Sequence, residues 1–69
     1  MDSDTLQSVR SRYAAAYDAY LKCAKRVSQQ LQDGRTPTAG EIAAEQQARE
    51  RLGIARRELI DAINSSMTQ

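Results

Sequence analysis

The stretch Asp33-Gly34-Arg35-Thr36-Pro37-Thr38-Ala39-Gly40-Glu41 holds the only proline and two of the three glycines, and it lies at the midpoint of 69 residues. Gly34 after Asp33 is suited to a helix C-cap, because glycine takes the left-handed conformation without a Cβ penalty. Thr38 followed three residues later by Glu41 fits a capping box, with Pro37 and Ile42 placed as a hydrophobic staple. Thr36 as N-cap, with Pro37 at the first helical position, is the competing start. One helix therefore ends and another begins within a few residues, and the chain must fold back on itself there.

The flanking arms, about 3–33 and 38–66, are rich in Ala, Gln, Glu, Arg and Leu and contain no proline. Both read as long helices, with 34–37 as the turn, in a single all-α domain spanning 1–69. On the first arm Leu6, Val9, Tyr13, Ala16, Tyr17, Tyr20, Ala24, Val27 and Leu31 recur at spacings of three and four, with Ser11, Lys22, Lys25 and Gln29 opposite. On the second arm the stripe is narrower and alanine-rich: Ala44, Ala48, Leu52, Ala55, Leu59, Ala62 and Ile63, flanked by Ile42, Ile60 and Met67. In an αα-hairpin reversing around Thr36, residues whose numbers add to about 72 face each other. That sets Val9 near Ile63, Tyr13 near Leu59, Tyr20 near Leu52, and Ala24 near Ala48.

So short a chain rarely holds one core without a disulfide, a metal or a second subunit. Cys23 is the only cysteine and there is no histidine, which removes an intrachain disulfide and the usual metal ligands. The first arm also carries more apolar surface than one facing helix covers, with Tyr17, Leu21 and Ala24 on one flank and Ala16 and Cys23 on the other. The expectation is an antiparallel two-helix hairpin that dimerises into a four-helix bundle, with Tyr13, Tyr17, Tyr20, Leu52, Leu59 and Ile63 at the dimer interface.

Ten basic residues against nine acidic ones give a net charge of +1, no bulk attraction to nucleic acid or anionic membrane. The polar, acidic start MDSDTLQS has neither the basic segment nor the apolar run of a signal peptide, so a cytoplasmic protein is expected. No Ser or Cys with an adjacent base, glycine-rich phosphate loop or paired carboxylates facing a cavity suggests catalysis, and no cofactor is expected. The three tyrosines read as core or dimer seam, with base stacking as the sharper alternative. Cys23 reads as a small buried hydrophobe, with a thiol activated by Lys22, Lys25 and Arg26 as its alternative.

Two surfaces remain as partner-binding candidates. Ile54 projects away from the Leu52 and Leu59 stripe, between Arg51 and Arg57, as a small apolar anchor with a charged rim. Lys22, Lys25, Arg26 and Arg49 form the one candidate basic patch. Against a patch stand interleaved acids and i, i+4 pairs such as Asp18 with Lys22, Glu45 with Arg49, and Arg57 with Asp61.

In length and architecture the chain resembles the quorum-sensing anti-activators encoded by Pseudomonas phages. That resemblance implies a dimeric inhibitor that occupies the DNA-binding domain of a LuxR-type transcription regulator and blocks promoter binding, with a type IV pilus assembly ATPase as a second target. The alternative from another class is an RNA- or DNA-binding dimer of helical hairpins, similar to the plasmid RNA-one modulator, using its basic face.

Overall fold

The structure is a computed structural model that describes residues 3–67, with side-chain burial described from residue 5. Two helices pack against each other: α1, Ser3–Gln32, and α2, Ala39–Met67. They form a rod of 52 × 15 × 13 Å, as two helices of about thirty residues must at 1.5 Å rise per residue. No strand occurs among the described residues.

Both ends of the turn are closed by their own backbone and side chains. Gly34 has φ 76°. The Arg35 N–H donates to the Gln30 carbonyl at 2.8 Å and the Gly34 N–H to the Leu31 carbonyl at 3.3 Å, the paired bonds of a Schellman motif. On the other side, the Glu41 N–H donates to Thr38 Oγ1 at 3.1 Å, and the Thr38 N–H donates to Glu41 Oε1 at 3.0 Å. Thr38, not Thr36, is thus the N-cap. Pro37 is buried while Ile42 remains exposed.

The seam follows a seven-residue repeat on each helix. On α1 the shielded positions are Leu6, Val9, Tyr13, Ala16, Tyr20, Cys23, Ala24, Val27 and Gln30; on α2 they are Glu41, Glu45, Ala48, Leu52, Ala55, Leu59, Ala62 and Ile63. Among the described residues the buried apolar side chains of the two helices are Val9, Ala48, Ala55 and Ala62. Three of these are alanines spaced by seven, so α2 lays a smooth edge along α1 and the axes can approach toward the short end of the usual range of about 8–10 Å.

The cross-helix contacts follow the expected register to within a residue or two. Gln30 Nε2 donates to Glu41 Oε2 at 2.7 Å, and Arg12 pairs with Glu58 at 3.3 Å. Three residues expected on the apolar stripes lie outside the seam: Tyr17, Leu31 and Ala44 are all exposed. Leu31 is 62% exposed, and its neighbour Gln30 takes the seam position instead. An alternating three-and-four spacing averages 3.5 residues per turn, so over four heptads the seam drifts from the 3.6-residue stripe on which Leu31 falls.

Candidate functional site

Relative to the seam, the seven-residue rows sort the exposed side chains onto two faces. One face carries the row Arg10, Tyr17, Ala24 and Leu31 from α1 and the row Ile42, Arg49, Arg56 and Ile63 from α2. Leu21, Ile60 and Met67 lie further out on the same side. Tyr17, Leu21, Leu31, Ile42, Ile60 and Met67 are all exposed, and among the described residues Ile54 is the one large exposed hydrophobe that points elsewhere. The rings of Tyr13 and Tyr17 lie 6.1 Å apart at a tilt of 42°, within the range of a favourable aromatic pair. With Ala14, Asp18 and Leu21 they line a shallow apolar depression on α1.

The residues expected at the dimer interface divide accordingly. Tyr13, Tyr20, Leu52, Leu59 and Ile63 are half-buried along the intramolecular seam, and Tyr17 stands exposed beside it. Arg49 links the two groups. It donates to Glu45 at 2.7 Å and lies against the Tyr20 hydroxyl. Tyr20 first and then Glu45 raise the guanidinium pKa, so Arg49 stays charged beside the seam while its side chain remains largely exposed.

The opposite face is built differently. Ala15, Ala16, Ala19, Cys23, Ala44, Gln47, Ala48 and Arg51 line an open groove across both helices. Cys23 sits half-buried in its wall as a free thiol. Toward the turn, Lys22, Lys25, Arg26, Gln29, Gln30, Asp33 and Arg35 surround a second open groove. Arg35 is the member of this basic cluster that the helical rows alone do not place, because it enters through the turn.

Ile54 is 57% exposed on the outer surface of α2, as its phase predicts. Its helical neighbours are Arg51 and Arg57 at three residues and Glu50 and Glu58 at four, so its rim is mixed in charge. Glu58 is held by Arg12 across the seam. Of the expected i, i+4 pairs, Asp18 meets Lys22 at 3.0 Å and Glu45 meets Arg49 at 2.7 Å. Arg57 and Asp61 form no ion pair, and among the described residues neither Arg51, Arg57 nor Arg26 has one within 4.0 Å.

Among the described residues Glu41 carries the one clear carboxylate perturbation. The Thr38 N–H, and after it the Gln30 amide, donate to its carboxylate and hold its pKa below the usual range, with Arg26 adding attraction. Capping accounts for this, and the Gln30 Oε1 atom is left buried without a partner. Among the described residues no cluster of three metal-ligating side chains occurs, and no helix is long and apolar enough to cross a membrane.

Comparison with known proteins finds no matching family model, no similar curated protein and no similar solved structure.

Proposed function

We propose that this chain is a non-catalytic protein that works as a homodimer of helical hairpins and acts stoichiometrically, by covering a surface of another protein. The dimer is supported by the face that gathers Tyr17, Leu21, Leu31, Ile42 and Ile60 in the open. Several large apolar side chains exposed on one face suit an interaction site. With that face occupied, Ile54 lies on the far surface of each hairpin and stays free.

The observation that carries the partner-binding reading is Ile54 itself, exposed beside Arg51 and Arg57, which form no ion pair among the described residues. Rigid helix faces bind through one or two apolar anchors, with charged neighbours that set orientation. The DNA-binding domain of a LuxR-type transcription regulator is the target that the phage anti-activator resemblance implies. Ile54→Asp tests the contact. The variant should remain helical and dimeric while losing the protein that the wild-type chain captures from its host lysate; a folded variant that captures it as before would place the contact elsewhere.

A second reading draws on the groove ringed by Lys22, Lys25, Arg26 and Arg35. Four cations around one groove suit the phosphates of RNA or DNA. Phosphate contacts release counterions, so such binding would weaken steeply with salt, whereas an apolar protein contact at Ile54 would respond much less.

A further inference from the structure

The exposed face does more than call for a second copy: its charges select how the copies are arranged. A hairpin that packs face to face on its twin can do so about a twofold axis parallel to the helices, with both turns at one end. It can also do so about an axis across them, with the turns at opposite ends. We infer that the twofold axis runs parallel to the helices. This rests on the dimer proposed above.

A parallel axis preserves height along the rod and places α1 against α2 of the other copy. In the hairpin's own register Leu31 is level with Ile42, Ala24 with Arg49, and Tyr17 with Arg56, each pair within a turn of the levels set by Gln30 with Glu41 and Arg12 with Glu58. Leu31 would therefore meet Ile42 of the partner subunit, both of them exposed in the single chain. Arg49 of the partner subunit would lie over the small Ala24. Tyr17 would receive Arg56 of the partner subunit over its ring, a cation and π-face pair.

A transverse axis inverts height and packs α2 on α2. The row Ile42, Arg49, Arg56 and Ile63 has no acid, so Arg49 would face Arg56 of the partner subunit on both sides of the axis. Glu45 offsets part of the Arg49 charge, but among the described residues Arg56 has no ion pair. Like charges set opposite each other disfavour that assembly.

The area to be covered agrees with a second copy as the occupant. The single chain exposes 5333 Å², against about 4,300 Å² for a compact folded monomer of its mass by the usual scaling. The excess, about 1,000 Å², is enough to supply the roughly 800 Å² that each partner loses in a standard interface.

Distance measurement separates the two arrangements. In a Cys23→Ser background, Thr36→Cys places a nitroxide label in the exposed turn of each copy. A parallel axis predicts a label separation below about 30 Å, two packed layers plus the label arms. A distribution centred near the 52 Å length of the rod would overturn the axis and leave the dimer standing. A single-chain mass would overturn both. Arg56→Glu supplies an independent sign: it should raise the dimer dissociation constant several-fold by removing the cation from Tyr17, whereas tighter dimerisation would identify the transverse axis.

Discussion

Thr38 and Glu41 satisfy each other's backbone N–H groups at the start of α2, two donors that a helix end otherwise leaves to solvent. Thr38→Ala should therefore destabilise the chain by about 0.5–2 kcal/mol in thermal melts, and Thr36→Ala should leave it nearly unchanged. The reverse ranking would move the N-cap. Glu41 adds a pH dependence whose sign is fixed by the depressed pKa. Its charged form is favoured by folding, so its contribution is complete above the unfolded glutamate pKa of about 4.3 and is lost as pH falls through the lower folded value. Wild type should exceed Glu41→Gln in melting temperature at pH 7, and the gap should shrink toward pH 3. A gap of constant size would assign the difference to shape, not charge.

At the scale of the helices, what decides the packing is the run Ala48, Ala55 and Ala62, all buried against α1. Ala55→Leu should cost about 1–3 kcal/mol by forcing the helices apart. A neutral result by denaturant unfolding would show that the seam has room there. This level was also the most legible in the sequence: the turn chemistry fixes both helix ends to within a residue, because caps are local and depend on three or four neighbouring side chains. Contacts that depend on the relative rotation of two helices were less legible. Leu31 and Gln30 exchanged places through a drift of about 20° per heptad, which accumulates to most of one residue by the end of α1. The Arg12–Glu58 pair joins residues far apart in sequence and needs the register before it can be seen. Glu58, held by Arg12, also gave Ile54 a mixed rim where i±3 spacing alone suggested arginines.

For the whole molecule the decisive balance is between surface and core. The buried apolar side chains of the two helices, among the described residues, are one valine and three alanines. Burial stabilises by roughly 25 cal/mol per Å² of apolar area, so small side chains contribute little against the entropy of ordering some sixty residues. The large side chains that could supply the difference stay half-buried along the seam, as Tyr13, Tyr20, Leu52 and Leu59 do, or exposed on one face, as Tyr17, Leu21, Leu31, Ile42 and Ile60 are. In the proposed dimer a twin hairpin would cover them, complete the core and leave Ile54 and the basic groove outward. The direct measurement is the solution mass by light scattering across a micromolar dilution series. The account predicts about twice 7.7 kDa, with helicity falling as the dimer dissociates on dilution. A stable, fully helical species of 7.7 kDa at every concentration would contradict it.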